Sequence, residues 1–211
     1  MLTVIRRIVC AAVALVVCVI ISGCGGEKMT AMEKVQKMLT EYECSKTDAT
    51  IQRFSNKGEN TYETTQYSKI TGEYRMEIKS PEAMNGNYTV FDGTSVKQYN
   101  AKIDETVSLD VPKMQKGSQL FISTFIKNYL MSENVSVETA ASLDESVCTV
   151  LEAVIPEGNK YISTEKLWVD NETLLPLKLV IYDENGGERY IITYNNFEYN
   201  PEIDSSVFSA K

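Results

Sequence analysis

The chain has no histidine in 211 residues. That excludes a Ser-His-Asp or Cys-His nucleophile, a histidine zinc ligand and a histidine proton shuttle. Positive charge is the minority sign, with 21 Lys and Arg against 29 Asp and Glu, a net charge of −8. Such a chain is a poor partner for nucleic acid and for broad contact with an anionic membrane face. A long hydrophobic run is missing too. The longest, residues 8–21, is 14 residues long, short of the roughly 20 that span a bilayer core.

That short run has a specific shape. Arg6 and Arg7 precede it, and Ile21-Ser22-Gly23-Cys24 ends it. A positive head, a short apolar stretch and small residues describe a secretory signal. The last four residues resemble a bacterial lipobox, in which the cysteine thiol becomes thioether-linked to diacylglycerol. Cleavage then makes Cys24 the first residue of the mature chain. Residues 1–23 are expected to be a lipoprotein signal peptide and residues 24–211 a single domain with a short Gly25-Gly26 tether. Each buried CH₂ adds about 0.8 kcal/mol of membrane affinity, so the acyl chains would hold the domain outside the cytoplasm. Loss of Arg6 and Arg7 takes the net charge to −10.

Few cysteines remain after processing. Of five, Cys10 and Cys18 leave with the signal, Cys24 takes the lipid, and Cys44 and Cys148 stay. Those two can form one disulfide or be two buried thiols. Free thiols are favoured, because nothing else looks stapled. Two separated cysteines cannot build a structural zinc site unaided.

Residues 27–42 read as a helix, with Met32, Val35, Met38, Leu39 and Tyr42 at spacings of three and four. Ser45 to Asp48 is expected to end it. Strands follow at 49–54, 61–68, 74–78, 88–91, 95–99 and 106–109, separated by Gly58, Gly72, Pro81 and the hairpin signal Asp92-Gly93. From 113 to 132 the period changes. Phe121, Phe125 and Tyr129 form one row and Ile122, Ile126 and Leu130 the next, which predicts a helix with a wide apolar face. Residues 135–142 fit a short helix or a strand. Strands resume at 147–155, 161–169, 176–182 and 189–194. The sum is one α+β domain, a large antiparallel sheet with one helix before it and one inserted midway.

Several residue groups bear on chemistry. The carboxylate pairs Asp104-Glu105, Asp144-Glu145 and Asp183-Glu184 sit in expected turns, where solubility explains them better than acid–base catalysis. Ser45-Lys46 and Ser68-Lys69 are adjacent rather than convergent. Asp92-Gly93 and Asn185-Gly186-Gly187 lack the strand–loop–helix setting of a phosphate loop and read as hairpin turns. The sequons at Asn87 and Asn134 read as chance. Twelve tyrosines fall largely in strands, suiting sheet packing or a binding face. Trp168 is expected in the core.

Tyr74-Arg75-Met76-Glu77 with Ser80-Pro81, then Phe91-Asp92-Gly93 before Val96 and Tyr99, resembles the first half of the LolA/LolB-like lipoprotein carriers. Leu167-Trp168-Val169-Asp170, Leu175-Pro176-Leu177-Lys178 and the ending Ile203-Asp204, Val207-Phe208 resemble the second half. That resemblance implies a strongly curved antiparallel sheet, an unclosed β-barrel, with helices over its open side. With its lipobox and acidity, the whole chain is similar to the GerS-like germination lipoproteins of clostridia. This implies a non-catalytic partner of a CwlD-like spore-cortex amidase, supporting muramic-δ-lactam formation on a forespore membrane. It implies no catalytic motif and no cofactor, and it assigns no partner-contacting residue. A carrier holding acyl chains on the concave face is the alternative, and a hydrolase the weakest reading. The exposed edges of such a sheet also allow strand exchange between two copies.

Overall fold

The computed structural model describes residues 29–109 and 117–210. The chain divides into two units, Met1–Thr30 and Ala31–Lys211, and the fold below is that of the second. The cleavage boundary expected before Cys24 lies outside the described residues.

Helix α1 (Ala31–Glu41) buries Val35 and Leu39, one turn apart, with Met32 and Met38 beside them. Its exit is fixed from the other end of the chain. The Asn200 side chain donates to Glu41 O at 3.0 Å and accepts from Glu43 N at 2.8 Å and Cys44 N at 3.1 Å. One amide thereby satisfies a carbonyl that the end of the helix leaves open and two N–H groups of the chain entering β1.

Eleven strands follow: β1 (Cys44–Ser55), β2 (Gly58–Lys69), β3 (Tyr74–Ser80), β4 (Tyr88–Phe91), β5 (Val96–Asn100), β6 (Glu105–Leu109), β7 (Val135–Leu143), β8 (Ser146–Asn159), β9 (Ile162–Asp170), β10 (Pro176–Tyr182) and β11 (Glu188–Tyr199). Their order across the sheet is β6-β5-β4-β3-β2-β1-β11-β10-β9-β8-β7. This is two meanders joined where β1 pairs antiparallel with β11. Among the described residues the outer sides of β6 and β7 carry no sheet partner, so the sheet is unclosed.

Helix α2 (Ile122–Met131) lies between β6 and β7 in sequence, entered by a 3-10 turn at Ser118–Leu120. It touches both β8 and β2. Those strands are five steps apart, about 24 Å along a flat sheet at roughly 4.8 Å per step. A helix is only about 10–12 Å across, so the sheet curls around it. The expected α+β class, a curved open antiparallel sheet with helices over one side, is the observed one. The core joins Val35 and Leu39 of α1 and Ile122, Phe125, Ile126 and Tyr129 of α2 to the inner faces of β8–β11. A second cluster, Tyr88, Val90 and Phe208, lies on the opposite face, where the tail docks as a 3-10 turn at Ser205–Phe208.

Several boundaries differ from the sequence reading. Residues 45–48 begin β1 instead of ending α1. Their period-2 burial and their pairing with β2 and β11 decide the matter. Residues 135–143 are strand. β8 continues through Pro156 by a bulge between Val154 and Asn159, with Glu157 at φ +55°, a place where a missing N–H does no harm. Leu130, expected on the buried face of α2, is half exposed. Trp168 is not in the core. Leu167 and Val169 on either side of it are fully buried, so alternation turns the indole to the outer face, where Lys178 Nζ stands 4.4 Å from its ring.

Candidate functional site

The inner face of the sheet is covered unevenly. Under α1 and α2 it is packed solid. Over β1–β6 it is open, leaving a groove of about 540 Å³. Alternation sets the lining. Register aligns Ile51 with Tyr62, Thr64 with Ile78, Met76 with Thr89, Thr89 with Gln98, and Gln98 with Val107. Ile51, Tyr62, Met76, Ile78, Val107 and Leu109 give the groove an apolar wall on β1, β2, β3 and β6, and Thr89 and Gln98 of β4 and β5 stand between them. Phe121 packs nearby, behind the lining residue Leu120. It stacks on Tyr74 of β3 with ring centroids 4.5 Å apart and is itself 1% exposed.

A seam of polar groups lies beneath the helices. Tyr42 Oη is 2.9 Å from Ser45 Oγ and 3.0 Å from Ser68 Oγ, all buried. Burial pushes the Tyr42 phenol up to about 12. Glu165 of β9 is 0% exposed. Its Oε1 accepts from Asn128 Nδ2 of α2 at 2.7 Å, while its Oε2 and the nearby Tyr194 hydroxyl have no hydrogen-bond partner among the described residues. Burial drives the Glu165 carboxyl up to about 7, with the Asn128 bond pulling the other way. The strand pattern held a signal for this group, because Glu165 shares the inward parity of Leu167 and Val169.

The residues singled out in the sequence fall as follows. Cys24 lies outside the described residues. Cys44 and Cys148 are free thiols, and burial raises both above the usual range. The Ser-Lys pairs are split by strand alternation. Ser45 and Ser68 face inward, whereas Lys46 pairs with Glu198 at 3.5 Å and Lys69 lies 4.6 Å over the Phe208 ring. The carboxylate pairs hold turns. Asp183 accepts from Asn185 N and Gly187 N, and Asp104 accepts from the Tyr99 hydroxyl at 2.6 Å. Among the described residues no group of three or more His, Cys, Asp or Glu could hold a metal ion, and no helix is long and apolar enough to cross a membrane. Tyr62, Tyr88, Tyr99 and Tyr190 all line the groove, with Tyr88 and Tyr99 stacked on each other at 4.8 Å, while Tyr42 and Tyr194 are buried in the core. The tyrosines therefore divide between a wet face and ordinary packing.

The family model for YdcC-like sporulation proteins matches residues 5–208. The chain belongs to that family. No curated protein sequence matches it significantly. Among solved structures, one chain in the structure of the CwlD amidase from Clostridioides difficile in complex with the GerS lipoprotein is 28% identical. The match covers 82% of this chain and 98% of that one, with a TM-score of 0.50. An uncharacterized conserved protein from Thermus thermophilus shares the fold at 12% identity and TM-score 0.53, over 85% of this chain and 93% of that one. A LolA superfamily protein from Nitrosomonas europaea aligns at 15% identity and TM-score 0.44, over 87% and 99%.

Within this YdcC-like member, then, the groove over β1–β6 and the edges β6 and β7, unpaired on their outer sides among the described residues, are open to a ligand or partner. β7 exposes Val135 and Val137 along its length.

Proposed function

We propose that this YdcC-like chain is a lipid-anchored, non-catalytic partner of a cell-wall amidase, acting outside the cytoplasm. One observation carries the reading: a sporulation-family chain is 28% identical, over 82% of its length, to a chain of an amidase–lipoprotein complex. The likeness supports a CwlD-like enzyme, and we extend the reading to a forespore membrane and to the muramic-δ-lactam of spore cortex that supports germination. Cys24 is the proposed site of the diacylglyceryl anchor. An activator of this kind binds the competent state of the enzyme better than the idle state. The outer sides of β6 and β7, which pair with no strand among the described residues, offer backbone groups for such a contact. The same edges support strand exchange between two copies.

The test is a pull-down with the purified amidase, with amidase turnover measured alone and with this protein. Association and a rise in turnover are expected. Absence of both would defeat the reading. Mass spectrometry of the native material checks the anchor: a diacylglyceryl mass on an N-terminal Cys24 is expected, and an unmodified thiol on an unprocessed leader would refute it.

A second reading, a carrier of acyl chains, is supported by the groove. Phe125 and Ile126 fill the space over β8–β11, yet about 540 Å³ of largely apolar space remains over β1–β6. Co-purifying lipid would support it, and a lipid-free protein that binds no acyl chain would remove it.

A further inference from the structure

Beside the β1 end of the groove lies a second space of different character. This cleft, about 390 Å³, is lined by Arg53, Arg189, Tyr161, Tyr190 and Asn56 among others. Arg53 and Tyr190 also line the groove, so the two spaces adjoin at these side chains. Three separate stretches converge there. Arg53 lies near the end of β1, opposite Tyr190 of β11 in register, Arg189 precedes Tyr190, and Tyr161 sits in the turn between β8 and β9.

The charges in the cleft are unusual for this molecule. The chain is acidic overall, and three arginines lie among the described residues. Arg75 is held by Glu77 at 2.7 Å. Arg53 and Arg189, the other two, make no ion pair among the described residues, and both line this one cleft. Arg189 instead lies against the Tyr161 ring at 5.5 Å, and Lys160 Nζ reaches the same ring at 4.9 Å. Cations gathered without a carboxylate repel one another, and an anion entering between them relieves that repulsion. The guanidinium fork matches a phosphate with two parallel hydrogen bonds, which a lone ammonium does not. The groove's carboxylate, Glu105, belongs to β6 at the far end, five strand steps from β1. One end is therefore cationic and aromatic, the middle apolar, and the other end acidic.

We infer that cleft and groove together form one site for an anionic phospholipid, with its phosphate between Arg53 and Arg189 and an acyl chain along Ile51, Tyr62, Met76 and Ile78. The inference rests on the carrier reading and adds headgroup selectivity to it. Its volume is in the range of small-molecule sites, about 300–1,000 Å³.

The test uses the full chain and three soluble probes: dihexanoyl phosphatidylglycerol, dihexanoylglycerol and inorganic phosphate. Calorimetry should show the phosphatidylglycerol binding at least tenfold tighter than the neutral diacylglycerol and than phosphate. The double variant Arg53→Gln/Arg189→Gln should lose that preference while keeping its affinity for dihexanoylglycerol. Arg53 is exposed and Arg189 half-buried, so circular dichroism should show the variant folded. Equal affinity for the two lipids in the unaltered chain, or a preference that survives the double variant, overturns the headgroup assignment and leaves the carrier reading standing. Phosphate binding as tightly as the phospholipid overturns the joint site. Failure of every lipid to bind removes the carrier reading as well.

Discussion

The two halves of this sheet are built alike in backbone and unlike in cover. Both are antiparallel meanders with one face turned toward the helices. In β8–β11 that face carries Leu151, Leu167, Leu179, Ile181 and Ile192, each 0% exposed beneath α1 and α2. In β2–β5 the same face carries Thr64, Gln66, Thr89 and Gln98 among its apolar residues, and no helix fills the space over Met76 and Ile78. A sheet face alternating large aliphatics attracts a helix. One that mixes threonine, glutamine and methionine leaves less apolar area to bury, and a helix gains little by covering it. Stability is concentrated in one half, and room for a ligand in the other.

The sharpest way to break that comparison is to empty the packed half. Phe125→Ala removes a ring that is 0% exposed and stacked 5.9 Å from Tyr129. A loss of about 3–5 kcal/mol is expected, read from the urea midpoint. Met76→Ala in the groove should cost much less, because the space beside it is already empty. If the two losses were equal, the halves would not differ in the way described.

Glu165 gives a second test, of the packed half alone. Its folded-state pKa, about 7, is raised from an ordinary value of 4.5. The neutral acid is the form the fold prefers. Its contribution is therefore fully present below about pH 4.5 and is lost as pH rises through about 7. Glu165→Gln keeps an oxygen for Asn128 and cannot ionise. The variant should gain on the parent between pH 5 and pH 8, by up to about 3 kcal/mol at the upper end. The slope with pH is the readout, since the amide adds a constant cost for its own unpartnered donors. A stability difference that is flat with pH would show that Glu165 reaches solvent or a counter-charge.

A smaller effect is expected where the tail meets the outer face. The Arg75 guanidinium lies 3.7 Å over the Tyr88 ring and donates to Val207 O and Ser209 O, both at 3.3 Å. Its partner Glu77 is held below the usual carboxylate range against a burial that opposes it, with the Arg75 hydrogen bond as the chief lowering cause. Arg75→Gln should cost about 1–2 kcal/mol. Faster hydrogen exchange at Val207 and Ser209 should accompany it, with little change at Leu167. Uniform loosening across both halves would mean that the tail supports the whole sheet.

Much of this was legible in the sequence. The two aromatic and aliphatic rows of residues 121–130 gave α2 and its inward face. Asp92-Gly93 and the Gly186-Gly187 stretch gave the hairpins, and alternation gave most strands. What failed to show was tertiary. Residues 45–48 are polar and look like a helix end, yet Ser45 and Thr47 are buried because β2 and β11 flank them on both sides. Trp168 looks like core by type and faces outward by parity. The groove was illegible, because an unfilled space depends on where α2 sits, and a strand residue carries no mark of whether a helix lies above it. Arg53 and Arg189 are 136 positions apart and meet only through the β1–β11 pairing.

The least disruptive change probes the open half most directly. Val107 lines the groove from the edge strand β6 and is 55% exposed. Val107→Ser removes apolar surface without opening a cavity or stranding a buried polar group, so folding stability should move by no more than about 0.5 kcal/mol. Acyl-chain binding, if the groove holds one, should weaken measurably in the same variant. Stability and binding would then separate at a single residue, which is what an unpacked functional face requires. A stability loss above about 2 kcal/mol would instead mean that Val107 is covered in solution. The groove would then be an interior surface, and the contrast between the two halves would reduce to a difference in what covers them.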